Sequence, residues 1–129
     1  MNNEIKKIQK FTDLVAWQKG HKLVLMIYRE TKKFPIEEKY GLVNQMRRAV
    51  VSFTSNIAEG FSKKSSKEKY QFYNIAKASM TELQNQLLVA KDVGYLSKES
   101  FKKIAEQSVT SIKLLNGLLK ATHQKRFES

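Results

Sequence analysis

A single proline, Pro35, and five glycines interrupt 129 residues. A chain with so few breakers folds into long helices wherever its apolar pattern allows. From Leu42 onward the pattern does allow it: Leu42, Met46, Ala49, Val50, Phe53 and Ile57 recur at helical spacing, forming a face that must be buried. Beside that face, Arg48, Ser52, Asn56 and Glu59 sit at i, i+4, i+8 and i+11 and share one narrow polar stripe. Polar groups at the edge of a core are costly unless paired, so the stripe, with Glu82 supplied from the next helix, is expected to form a charge-paired network that fixes helix register or a subunit contact, the alternative being a binding or catalytic constellation.

The remaining segments follow from their start and stop signals. Residues 1–11 read as a polar lead-in, with Ile5, Ile8 and Phe11 docking on the body of the fold. Thr12 is placed to cap the first helix and Asp13 to complement its dipole. That helix runs to about Lys33, with Leu14, Trp17, His21, Val24, Leu25, Tyr28 and Thr31 inward and Lys19, Lys22, Arg29 and Lys33 opposite. Phe34-Pro35 ends it, because the residue before a proline is pushed out of helical geometry. Glu37 and Glu38 suit the start of helix two, where Gly41 tolerates a kink, and Gly60 is placed as its C-terminal glycine. Ser65 and Glu68 make a capping box that opens helix three.

Helix three turns Tyr73, Ala76, Met80, Leu83 and Leu87 inward. It also carries a second apolar stripe, Phe72, Ile75, Ser79, Val89 and Val93, which implies a partner subunit. Gly94 ends it and Ser97 caps helix four, whose inward face is Phe101, Ile104, Ser108, Ile112, Leu115, Leu119 and Thr122. Residues 123–129 form a fraying basic tail. Short links between long helices favour antiparallel neighbours, so residues 12–122 are expected to form one all-α, up-down-up-down four-helix bundle.

Charge bounds the partners. Twenty-four Lys and Arg against twelve Asp and Glu give a net charge of +12, a field that attracts polyanions, nucleic acid first among them. There is no cysteine, which removes disulfide and thiolate chemistry and suits a reducing cytoplasm. No apolar run approaches the roughly 20 residues of a membrane span, and the N-terminus lacks the apolar core of a signal peptide.

The central run Gln45–Gly60, ending Asn56-Ile57-Ala58-Glu59-Gly60, carries a family resemblance. So do Phe11-Thr12-Asp13-Leu14, Trp17-Gln18-Lys19, Tyr28, Phe34-Pro35 and Ala78–Leu83. Over about Phe11 to Leu119 the chain resembles the bacterial four-helix-bundle proteins encoded in 23S rRNA intervening sequences. These are related to the accessory variability determinant of diversity-generating retroelements. The resemblance implies a bundle assembled into a ring-like, pentameric homo-oligomer, a nucleic-acid-related role, and a possible protein partner such as a reverse transcriptase. It implies no catalysis and no cofactor. Relatives often carry Pro where Thr54 stands, Gly where Ala78 stands, and arginine in the Phe61–Ser66 link, where this chain has Lys63 and Lys64. These departures imply a straighter helix two, wider packing at position 78, and loss of bidentate phosphate geometry in the link.

Catalytic patterns are poorly represented. His21 and His123 are the only histidines, neither follows a Glu by three residues, and there is no phosphate loop. Trp17, Tyr28, Tyr73 and Phe101 fit core positions, whereas Tyr40, Tyr70 and Tyr95 lie nearer helix ends, where they cap the core or stack on bases. The basic residues are the better candidates. Lys19, Lys22, Arg29 and Lys33 on helix one, Lys98, Lys102, Lys113 and Lys120 on helix four, and Lys63 and Lys64 in the link can track phosphates without reading bases. The expected function is therefore a non-enzymatic, cytoplasmic, homo-oligomeric nucleic-acid-binding accessory protein. The alternative is a structural oligomer or partner scaffold whose positive charge is incidental. A small-molecule enzyme ranks third and would need a deep pocket lined by Arg48, Asn56 and Glu82.

Overall fold

The structure, a computed structural model, describes residues 7–128, with side chains described through Lys125. The expected docking of Ile5 and the side chains beyond Lys125 lie outside that range. Four helices make up the body: α1 (Val15–Thr31), α2 (Leu42–Ser62), α3 (Ser66–Asp92) and α4 (Lys98–Glu128). Short 3₁₀ turns at Phe11–Asp13 and Ile36–Glu38 precede α1 and α2. Each helix packs against the next, and α1 closes the ring against α4. This is the all-α, up-down-up-down four-helix bundle that the sequence predicts. α4 is helical through Glu128, past the position where fraying is expected.

The helix ends show which signals the chain uses. Ser65 Oγ accepts from Glu68 N at 3.1 Å and opens α3. Ser97 Oγ accepts from Ser100 N at 3.0 Å and opens α4. Gly94 takes φ +88°, the left-handed conformation that ends α3 cheaply. The start of α1 differs from expectation. Thr12 is no cap: Leu14 holds the N-cap position without a side-chain bond. Asp13 instead fixes the 3₁₀ turn, its Oδ2 accepting from Gln9 N and Lys10 N at 3.0 Å each. Ile8 is 55% exposed and does not dock. Glu38, ahead of α2 and not within it, uses both carboxylate oxygens. Oε1 accepts from Leu42 N at 3.3 Å and Oε2 from Tyr95 OH at 3.0 Å, tying the α1–α2 and α3–α4 connections together.

Two glycines are set by packing. Gly60 lies inside α2, two residues before its end, so it is no C-terminal cap. A Cβ there would stand 2.6 Å from Tyr73 Cε1 of α3. At Gly20 a Cβ would stand 2.7 Å from Phe53 Cε2 of α2. Both seams close tightly because a side chain is missing.

The core is centred on Leu23, Ile27, Met46, Phe53, Ile57, Met80, Leu83, Leu87, Ile104 and Leu115, each almost wholly enclosed. Burial of each such side chain is worth about 1.5–3 kcal/mol. The expected inward faces of α2 and α3 are the ones buried, with Leu42 only partly covered. On α4, Ile104, Ser108, Leu115, Leu119 and Thr122 are buried, while Phe101 and Ile112 are partly covered. α1 is corrected. Its buried face is Ala16, Gly20, Leu23, Val24, Ile27 and Thr31. His21, Leu25 and Tyr28 are exposed, and Trp17 is half-buried. Small residues let α1 approach α2, whereas the aromatic rings sit on its flank: Trp17 stacks on His21 at 4.7 Å and meets Phe11 edge-on at 5.4 Å.

Two phenols are held above the ordinary tyrosine value of 10.0, Tyr73 by burial and Tyr95 chiefly by its hydrogen bond to Glu38. The folded chain therefore keeps these protons after the unfolded chain has released them. The stability they contribute is full below 10 and is lost as pH rises through the raised folded values. Tyrosinate absorbance and helical circular dichroism followed together from about pH 9 upward should show helix loss accompanying the last phenol ionisations. Complete ionisation with an unchanged helical signal and melting temperature would show that neither phenol is held.

Candidate nucleic-acid interface

The bundle places the candidate cations in three groups. Lys22 and Arg29 lie on the exposed side of α1 and Lys33 just past its end, and Lys19 lies at its seam with α4, where its carbonyl accepts from Gln107 Nε2 at 2.9 Å. Lys98, Lys102, Lys113 and Lys120 are exposed on α4. At 1.5 Å per residue, the row from Lys102 to Lys120 extends about 27 Å. α1 and α4, which carry these two groups, are neighbours in the bundle. Lys63 and Lys64 sit at the α2–α3 link, at the end of the bundle where α4 finishes and opposite the end where Lys98 and Lys102 begin α4. Lys64 is exposed, and Lys63 is half-buried with Nζ 5.1 Å from the centre of the Phe72 ring.

Few of these charges are neutralised. Among the described residues the ion pairs are Lys33–Glu30, Lys91–Asp92 and Lys103–Glu99. Among the described residues, Lys33 is the one of the ten candidates with an acidic partner.

Other cations, which charge alone does not single out, serve the fold. Arg47 Nε donates to Thr31 Oγ1 at 3.0 Å and Nη2 to the Tyr28 carbonyl at 3.4 Å, with the guanidinium 4.6 Å over the Tyr28 ring. It clips the end of α1 to α2. Lys69 Nζ donates to the carbonyls of Phe61 at 2.7 Å and Gly60 at 3.3 Å, satisfying the last turn of α2. Burial, and then the charge of Lys125, push its amine below the usual lysine value. Lys91 lies 4.6 Å over Phe101. Nothing in local spacing separates these lysines from solvated ones, since their partners come from other helices.

The polar stripe on α2 divides in two. Its inner part is bonded: Ser52 Oγ and Ser79 Oγ lie 2.8 Å apart, and Asn56 Nδ2 donates to Ser52 O at 2.8 Å and to Ser52 Oγ at 3.2 Å. Its outer part is not. Arg48 and Glu59 are exposed, and among the described residues neither side chain has an ion pair or hydrogen bond. Glu82 accepts from Gln86 Nε2 at 3.2 Å and does not reach Arg48. Within the chain the charge-paired network does not form; a Ser-Asn-Ser cluster bonds at the α2–α3 seam, and water solvates the exposed charges. Arg48 and Glu82 both line an open groove of about 590 Å³ with Asn44, Gln45, Ala49 and Ser52. Asn56 lies outside it, so the lining required by the third reading is incomplete.

Among the described residues, no three His, Cys, Asp or Glu side chains gather to hold a metal ion. Within the same residues, no helix is long and apolar enough to cross a membrane.

A sequence model of the family described as 23S rRNA-intervening sequence protein matches residues 12–117. A crystal structure of a protein with unknown function from the S23 ribosomal protein family of Bacteroides thetaiotaomicron is similar in fold. It has a TM-score of 0.76 and 21% sequence identity, over 82% of this chain and 96% of that one. No functionally curated protein matches the chain.

Proposed function

Because the chain belongs to the 23S rRNA-intervening sequence protein family, we propose that it is a non-enzymatic, cytoplasmic accessory protein that binds nucleic acid as a homo-oligomer. The observation that carries this reading is the row Lys102, Lys113 and Lys120 on α4, exposed and without acidic partners among the described residues. Lys19, Lys22 and Arg29 on the adjacent α1 add further positive charge. Such a surface tracks phosphates and leaves sequence unread. The family name favours RNA as the ligand. Homo-oligomerisation is supported by the apolar surface of α3 and its C-cap, where Ile75, Val89 and Val93 are 49%, 42% and 55% exposed. A ring-like pentamer, and a reverse transcriptase as protein partner, belong to the same reading through the resemblance to retroelement accessory proteins.

The test is binding of labelled RNA and DNA by fluorescence anisotropy across a salt series, on protein whose mass is fixed by light scattering. About six phosphate contacts would give a slope of log K against log salt near −4 on single strands. Changing Lys102, Lys113 and Lys120 together to Glu should leave the helical signal intact and weaken binding by tenfold or more, with a shallower slope. Binding that survives this change would remove α4 from the interface. An absence of binding at low salt would leave the second reading, a structural oligomer that docks a protein partner, which the exposed α3 valines favour.

A further inference from the structure

A second cationic feature adjoins the C-terminal end of the α4 lysine row, sharing Lys120 with it, at the end of the bundle where α3 begins and α4 finishes. Tyr70, Asn74 and Lys77 stand at i, i+4 and i+7 on α3; Asn116, Lys120 and His123 repeat that spacing on α4. Residues so spaced share one helix face. The two helices are antiparallel, so the triplets meet head to tail. The Tyr70 and His123 rings lie 5.6 Å apart at one end, and Lys77 and Asn116 mark the other. Together they line a cleft of about 240 Å³ over the buried side chain of Leu119.

We infer that this cleft holds one unstacked nucleotide of a single-stranded nucleic acid, an inference that rests on the nucleic-acid reading above. Four properties converge on that ligand. The lining carries two lysines and no carboxylate, which selects an anion. It carries two amides, whose donors and acceptors suit the edge of a base; Asn74 Nδ2 is committed to the Tyr70 carbonyl at 2.9 Å, leaving its Oδ1 as an acceptor. An aromatic pair and an apolar floor stand beside these groups, and a base face packs on such surfaces. The volume falls below the roughly 300–1,000 Å³ of sites that enclose a whole small molecule, so the cleft accommodates one unit of a longer strand.

The strand has a continuation. Lys63 and Lys64, in the α2–α3 link, occupy the same end of the bundle. Only an unpaired base can leave its stack for the cleft, so duplexes are excluded from it while still meeting the outer lysines.

The experiment compares a labelled oligouridine with a duplex of equal length on wild-type protein and on variants. His123→Ala removes an exposed ring near the end of α4. Tyr70→Ala removes the half-buried one, and its helical signal is checked against wild type. Lys77→Gln removes an exposed charge with no bearing on the fold. Loss of a stacked base predicts that each ring variant binds the single strand about tenfold more weakly while duplex affinity holds. Lys77→Gln should lower the single-strand salt slope by about 0.7 and leave the duplex slope unchanged. If the wild type binds both ligands and the variants change neither, or weaken both alike, the cleft is not a nucleotide site and the outer-surface reading stands. If the wild type binds neither ligand, both readings fall together.

Discussion

Phe53→Ala is expected to cost the bundle about 3–5 kcal/mol of stability, the largest loss available from a single core truncation here. Phe53 is fully enclosed at the middle of α2, and its ring fills the space in which Gly20 of α1 has no side chain. Removing the ring withdraws apolar surface from the core and leaves a void that the flanking helices close only in part. Because a Cβ at Gly20 would stand 2.7 and 3.0 Å from Phe53 ring carbons and 3.0 Å from Thr54 Cγ2, the two sites are coupled. Gly20→Ala alone should destabilise by about 1–3 kcal/mol through overpacking. In the Phe53→Ala background, the ring clash is gone and the added methyl helps fill the void. Chemical denaturation of the four proteins at one fixed concentration measures this cycle. A loss below about 1.5 kcal/mol for Phe53→Ala would mean that α1 collapses onto α2 and refills the site.

That seam also marks where the sequence is legible and where it misleads. On α2 the apolar residues at helical spacing from Met46 to Ile57 are all buried, so periodicity alone identifies the face. On α1 the apolar and aromatic residues lie on two overlapping arcs. The arc holding Trp17, His21 and Tyr28 is the more conspicuous, yet the chain buries the one holding Ala16, Gly20, Leu23 and Ile27. What decides between them is the partner: Phe53 requires a gap on α1, and only the arc containing Gly20 provides it. A single-helix pattern carries no record of the facing helix, so this correction was inaccessible to it. Within one chain the polar stripe departs from its expected pairing for a related reason. Spacing put Arg48, Ser52, Asn56 and Glu59 in a line but not their depth, and depth determines which of them must pair. Ser52 and Asn56 reach the α3 seam and bond; Arg48 and Glu59 remain in water. The Tyr70–Asn74–Lys77 and Asn116–Lys120–His123 triplets were visible in the sequence, but their meaning depends on the register between α3 and α4, which places one beside the other.

Gly60→Ala should cost about 1–3 kcal/mol, although alanine in place of glycine within a helix ordinarily gains about 0.5–1 kcal/mol. The new Cβ would stand 2.6 and 2.8 Å from Tyr73 ring carbons and 3.2 Å from Phe72 Cβ. Tyr73 is 3% exposed, so its ring has no open space to turn into, and Phe72 Cβ moves only if α3 itself shifts. Relief therefore requires α2 and α3 to separate where the Lys69 amine reaches across to the Gly60 and Phe61 carbonyls. A glycine that served as a helix terminator would also resist alanine, but through its own backbone geometry, with no dependence on the facing side chain. Combining Gly60→Ala with Tyr73→Leu separates the two causes. A packing origin predicts that the smaller side chain recovers much of the Gly60→Ala loss, so the two substitutions couple strongly in thermal denaturation. Strict additivity would return Gly60 to the role of a terminator and would contradict its place two residues inside α2.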